Sequence, residues 1–276
     1  GFVFLSLGLT AYEFVTHKLL FVNVLNGVVF DEALFGGNLG VFRAKGLFWG
    51  PTVLGMFMIT AFILANKNLW LLFSAILSCF FANARLGIIL LSIPLIVLLF
   101  KRKNIKYLWI VVPIFIGIMN YAYMHAGTSV ERLLALSEGE NQNARIYYWT
   151  KGINLFLDYP LQSIIFGNNG YYNSIYDNNP ESGWICLLTD NGVIGFFFYL
   201  LPLLYCLHRF LINRKWYNLM LTLLFIVFNF TITGHLSGTG NFMYWLVVFE
   251  LFNKAKYGCG KLDSPVLLKY HYPKLA

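Results

Sequence analysis

Apolar residues run along this chain in long unbroken stretches. They occupy residues 47–66, 69–84, 86–100 and 107–125, and again 184–207, 217–234 and 241–253. Most approach the ~17–25 residues that a helix needs to cross the hydrocarbon of a bilayer. A soluble β-rich chain can be as aromatic, but it would alternate apolar with polar positions. The pattern predicts an all-α polytopic membrane protein, a bundle of about seven full transmembrane helices. Residues 1–12 read as the end of a further helix truncated at its start. The chain opens Gly1-Phe2-Val3-Phe4, without the basic segment that leads a signal peptide.

The interruptions divide the chain. Residues 13–46 form a polar and amphipathic loop carrying Glu13, Lys18, Asp31, Glu32, Arg43 and Lys45, within a transmembrane region 1–125. Residues 126–182 are one long polar segment, 183–253 return to membrane helices, and 254–276 form a basic tail. Inside the long segment Ile146, Trp149, Ile153, Phe156 and Leu157 recur at helical spacing, with Arg145, Lys151, Asn154 and Asp158 off that stripe. That spacing predicts a short amphipathic helix on the membrane surface, stopped by Tyr159-Pro160. It either presents Arg145 to a ligand or merely closes the bundle. The segment is also rich in rings, among them Tyr147, Tyr148, Trp149, Tyr171, Tyr172 and Tyr176. Such rings suit sugars, but a headgroup belt accounts for most of them.

Composition agrees with lipid as the solvent: 58% of the 276 residues are hydrophobic, 18% aromatic and only 12% charged, where soluble chains are about a quarter charged. The net charge of +8 is therefore an orientation signal, not one for nucleic acid. Thirteen of the twenty Lys and Arg lie in 67–68, 101–106, 208–216 and the tail. Positive-inside places those segments in the cytoplasm and 126–182 outside. The outer side keeps Arg43, Arg85, Arg132 and Arg145 with three Lys, whereas the inner side has three Arg and ten Lys. Nine of the twelve acids are outer, and Asp190 lies within a span. An ion-coupled transporter would carry its acids deep in the spans. Cys79, Cys186, Cys206 and Cys259 lack metal spacing and read as apolar fillers.

Arg43, Arg85 and Arg145 are the strongest candidates for chemistry. Burying an Arg in lipid costs a few kcal/mol, roughly, so it snorkels, pairs or faces a wet cavity. Three on one side beside helix ends favour an anionic ligand, for which a guanidinium offers a planar fork. Asp177 and Glu181 are poor metal ligands, with Pro180 between them and no third partner evident.

The run Asn143-Ala144-Arg145-Ile146-Tyr147-Tyr148-Trp149, with Asp158-Tyr159-Pro160 and Phe166-Gly167-Asn168-Asn169-Gly170, resembles the large extracytoplasmic loop of O-antigen polymerases and ligases. Glu181-Ser182-Gly183-Trp184 and Asn191-Gly192-Val193-Ile194-Gly195 are similar to that family's approach to its next span. Arg43-Ala44-Lys45-Gly46 and Asn83-Ala84-Arg85-Leu86-Gly87 resemble its two upstream Arg-Gly signatures. The resemblance covers roughly residues 40–250. Ligases carry a His, commonly His-Asn, where this chain has Glu181-Ser182, and no His lies between 126 and 182. That departure favours a polymerase.

The resemblance implies a metal-independent glycosyltransferase of the bacterial inner membrane, with no cofactor. It would polymerise undecaprenyl-diphosphate-linked repeat units of O-antigen, capsule or exopolysaccharide at the outer face. Its partners would be the lipid-linked glycan donor and acceptor, membrane lipid and a chain-length regulator, and no nucleic acid. Arg43, Arg85 and Arg145 fall to the diphosphate, with Trp149 and Tyr148 as further substrate-binding positions. Glu181 is the catalytic candidate for base or acceptor positioning, weighed against an ordinary solvated loop acid. His235, in Gly234-His235-Leu236, stands second, weighed against an unpaired interfacial His. An O-antigen ligase is the runner-up. A non-enzymatic transporter or flippase of the same lipid-linked sugar is the rival from another class, but it has little use for a long ordered outer loop.

Overall fold

The computed structural model describes residues 1–22, 24–25, 28–29, 42–65, 68–100, 140–231 and 240–257, with Tyr107, Trp109, Val112, Pro113, Ile116, Gly117 and Asn120 between them. Helices dominate, as the apolar runs predict. In chain order they are α1 (Phe2–Thr16), α2 (Pro51–Leu64), α3 (Leu69–Phe81), α4 (Arg85–Leu99), α5 (Glu140–Leu157), α6 (Leu161–Phe166), α7 (Tyr171–Tyr176), α8 (Gly183–Ile212), α9 (Trp216–Thr231) and α10 (Gly240–Tyr257). Two-residue strands, β1 (Val24–Leu25) and β2 (Val28–Val29), pair antiparallel with Val24 opposite Val29.

The ends of these helices follow local chemistry. Pro51 opens α2, where a missing N–H costs nothing. The Asn68 side chain caps α3 by accepting from Leu71 N at 3.1 Å, and the Ser182 hydroxyl accepts from Ile185 N at the start of α8. Between α3 and α4 the chain turns at Asn83, whose φ is 51°.

These turns shorten the expected spans. Among the described residues only Gly183–Ile212 is long and apolar enough to cross a bilayer. Phe2–Thr16, Pro51–Leu64, Leu69–Phe81, Leu86–Leu99 and Trp216–Thr231 are apolar but of 10–17 residues. The expectation of seven full spans is therefore reduced. The reason is that apolar runs read from sequence include turn residues, 47–50 and 82–84 among them. Most of the run 107–125 lies outside the described residues.

Burial is distributed as lipid requires. Small polar side chains sit inside: Ser6, Thr10, Ser78, Thr222 and Asn229 are fully buried. Thr10, Ser78, Thr222 and Asn229 each donate to the carbonyl four residues back at 2.8–2.9 Å. Such bonds satisfy a polar group without water. Some large rings face outward, with Phe198, Phe242 and Phe249 each about two-thirds exposed, while Phe62, Phe210, Phe225 and Phe228 are buried.

One apolar cluster joins α1, α2, α3, α4, α8, α9 and α10. Within it the Trp184 indole N–H donates to Ile226 O at 2.9 Å, and the Tyr244 hydroxyl to Tyr199 O at 2.6 Å. At one end of the bundle Lys254 Nζ donates to Ile63 O at 3.1 Å in the last turn of α2 and pairs with Glu250 at 3.1 Å. Lys215 Nζ donates to Lys254 O in turn. A cation there meets the free carbonyls of a helix C-terminus.

Candidate functional site

The amphipathic helix α5 docks on the start of α8 through a face that only part of the apolar stripe marks. Ile146, Ile153 and Leu157 of the expected stripe are exposed, whereas Trp149 and Phe156, its other two members, are half-buried and Gly152 is buried. Gly152 is the point of closest approach, since a Cβ there would lie 2.6 Å from Ile185 Cγ2. The Trp149 indole N–H donates to Glu181 O at 3.4 Å and its ring stands edge-on to Phe230, 4.9 Å away. The Tyr172 hydroxyl donates to Tyr148 O at 3.1 Å. The stripe misleads because it contains two surfaces, one packed on protein and one left outward.

Beyond Pro160 the chain folds back onto a break in α8. Gly192 takes φ 64°, ψ −168°, which separates the opening turns of α8 from its 193–212 portion. That portion is about 30 Å long at 1.5 Å per residue, enough for one crossing. The turn after α6 fits into the break. A Cβ on Gly167 would lie 2.3 Å from Asp190 O, and one on Gly192 2.5 Å from Ile165 O. Asn168 N donates to Thr189 O at 2.9 Å, satisfying a carbonyl of the broken helix. Asp190 completes the lock: Oδ1 accepts from Gly170 N at 3.2 Å and Oδ2 from Cys186 Sγ at 3.3 Å.

Two tyrosines of this segment are perturbed. Burial, then the Asp190 charge and Tyr171, pushes the Tyr159 phenol up to about 12. Its hydroxyl is buried without a hydrogen-bond partner. Burial, then Tyr176, Tyr148, Tyr147 and the Glu181 charge, pushes Tyr172 up to about 12. Lys151 Nζ lies over the Tyr147 ring at 5.4 Å and the Tyr176 ring at 5.8 Å. A cation among exposed rings and a nearby carboxylate is chemistry suited to a polyhydroxylated ligand.

Glu181 stands two residues before the first turn of α8, half-buried, in left-handed backbone at φ 52°. Its amide donates to Asn179 Oδ1 at 2.9 Å and its carbonyl accepts from Trp149. The residue is thus held by its backbone at the junction of α5 and α8. Asp177, the neighbouring acid, is also at positive φ, 50°, but exposed.

The arginine loop is built differently. Phe42, Ala44, Lys45 and Gly46 are buried and Arg43 alone of the five is not. Phe42 and Ala44 pack with Phe14 and Phe80 in a small cluster against which Phe81 and Ile88 lie. That packing sets the loop against Ile88 in the first turn of α4, the helix that begins at Arg85. Only the backbone of Arg85 and of Arg145, in the second turn of α5, belongs to the described residues. His235 lies outside them.

The structure thus joins Trp149 to Glu181 and Tyr148 to Tyr172, and sets the loop carrying Arg43 against the first turn of α4. For Tyr148 and Trp149 the contacts are with protein. The sequence pattern gave no role to Glu13, Gly152, Tyr172 and Asp190, which hold these parts together. Among the described residues no three His, Cys, Asp or Glu gather as metal ligands would.

A family model described as O-antigen ligase matches residues 69–200. The match takes in Arg85, Arg145, Tyr148, Trp149, Glu181 and the break at Gly192, and leaves Arg43 and His235 outside. No curated protein and no solved structure matches the chain significantly.

Proposed function

We propose that this chain, whose residues 69–200 match a family model described as O-antigen ligase, belongs to the O-antigen polymerase/ligase family and polymerises undecaprenyl-diphosphate-linked oligosaccharide repeat units. The work is done at the outer face of the inner membrane, with 126–182 extracytoplasmic and the C-terminus cytoplasmic. Arg43, Arg85 and Arg145 hold the donor diphosphate and stabilise it as it leaves. The acceptor hydroxyl attacks the anomeric carbon of the donor sugar, and the bond from that carbon to the diphosphate oxygen breaks. The hydroxyl proton passes to the Glu181 carboxylate. Undecaprenyl diphosphate departs carrying the electron pair, and in this reading the arginines meet its charge in place of a metal. Trp149 and Tyr148 place the α5 surface against Glu181, beside the sugar, and His235 is the second candidate for the proton.

The observation that supports this reading is that Arg43 is half-buried where Phe42, Ala44, Lys45 and Gly46 are buried, in a loop that packs against Ile88 in the first turn of α4. Polymerase is preferred to ligase because Glu181-Ser182 stands where the ligases carry His. Ligase is the second reading, favoured by the description of the matched family. The test is a reaction of purified protein with lipid-linked repeat units, read by mass spectrometry. A polymerase yields acceptor lipid carrying two, three and more repeats, with the donor's lipid diphosphate released. Single repeats moved only onto a different acceptor make it a ligase and contradict the proposal.

A further inference from the structure

Glu13 is the one fully buried carboxylate among the described residues, at 0% exposure near the end of α1. Its Oε2 accepts from Lys45 N and Gly46 N, both at 2.8 Å, and its Oε1 accepts from Leu20 N at 2.9 Å. Each of these is a charge-assisted bond from a backbone donor. They span 32 and 33 residues of chain to reach the Arg43 loop. Lys45, 1% exposed, turns its Nζ to Phe48 O at 3.3 Å, so its ammonium serves the loop from within. On the other side of Arg43 the Phe42 ring lies 5.4 Å from that of His17, and Phe14 lies 5.1 Å from Phe81.

Phe42, Ala44, Lys45 and Gly46 are thus fastened inward around the half-buried Arg43, two by packing and two by the Glu13 carboxylate. Burying a carboxylate is costly unless its lone pairs are filled. A loop needing only to be anchored could use an amide or hydroxyl. The charge makes the anchor stiff, and stiffness matters where one guanidinium must meet a ligand in fixed geometry.

We propose that Glu13 is a positioning residue that fixes the backbone of 45–46 and thereby aims Arg43 at the donor diphosphate. The inference rests on the reading of Arg43 as a diphosphate ligand. Glu13→Gln replaces one acceptor oxygen by an NH2 group, which faces backbone donors and cannot accept from them. Glu13→Asp keeps both oxygens on a shorter arm.

The test uses the full chain purified in detergent, with farnesyl diphosphate as the probe for binding and thermal unfolding recorded alongside. Glu13→Gln should weaken binding by about tenfold, and Glu13→Asp should recover part of that loss. In an Arg43→Ala background Glu13→Gln should add less than about twofold, since the group it aims is gone. Losses that multiply in the double variant, or a Glu13→Gln protein with full affinity, overturn the proposal. If Glu13→Gln does not fold, Glu13→Asp with and without Arg43→Ala decides the matter by the same comparison. A wild type that binds the probe but never extends a lipid-linked glycan sinks the polymerase reading and leaves Glu13 standing. One that polymerises while Glu13→Gln keeps full affinity does the reverse.

Discussion

Single side chains carry the sharpest tests. If Arg43, Arg85 and Arg145 bind a diphosphate through the guanidinium fork, Arg→Lys at each should fail almost as badly as Arg→Ala, because a point charge cannot replace two parallel bonds. Arg132 is the control, and polymer yield at matched protein level is the measurement. Normal yield from all three Lys variants means the arginines only snorkel. Glu181→Gln should lose about 10²–10⁴-fold in rate with purified donor, Glu181→Asp should keep part, and Asp177→Asn should change little. A near-normal rate for Glu181→Gln returns that residue to the class of solvated loop acids and leaves His235 next. Tyr159 offers a stability test. Its hydroxyl is buried and unpartnered, so Tyr159→Phe should leave the thermal midpoint level or raise it by up to about 1 kcal/mol of stability. The phenol's raised pKa, about 12 against 10.0, has a defined sign. The neutral form is favoured when folded, so its contribution is full below pH 10 and is lost as pH rises toward 12. The wild type should therefore lose more stability across that window than Tyr159→Phe.

At the scale of elements, two close contacts set the architecture of the outer segment. Gly152 lets α5 meet Ile185, and Gly152→Leu should cost about 1–3 kcal/mol by overpacking, seen as a lowered thermal midpoint. Gly192 holds a conformation open essentially to glycine alone, and Gly192→Ala adds a Cβ 2.5 Å from Ile165 O. It should destabilise by at least about 1–3 kcal/mol. An unchanged midpoint in Gly192→Ala would mean that the break in α8 is not real. The existence of α5 and its stop near Tyr159-Pro160 were legible from periodicity and proline. The docked face was legible only in part, because Gly152 carries no hydrophobic signal and Ile146, Ile153 and Leu157 do. Nor was the break at Gly192, since an apolar run reads the same whether or not its backbone is continuous. Glu13 looked like an ordinary loop acid for a related reason: its partners are backbone amides that no residue pattern identifies. The arginines stood out because charge is conspicuous in an apolar chain.

For the molecule as a whole, exposed rings such as Phe198 and inward small polar groups accord with an apolar composition. The sidedness of the chain rests on its Lys and Arg distribution. With 101–106, 208–216 and 254–276 cytoplasmic, a single cysteine at Ser137 should react with an impermeant reagent from outside in intact cells. Reaction only after the cytoplasm is opened would reverse the orientation and remove the outer-face chemistry. The central claim is that this chain lengthens lipid-linked glycans, and the direct measurement is a gel of surface polysaccharide from cells lacking the gene and then regaining it. The account predicts that the ladder of lengths collapses to a single repeat on deletion and returns with the gene. A ladder that persists on free lipid carrier in the deletion strain would contradict it.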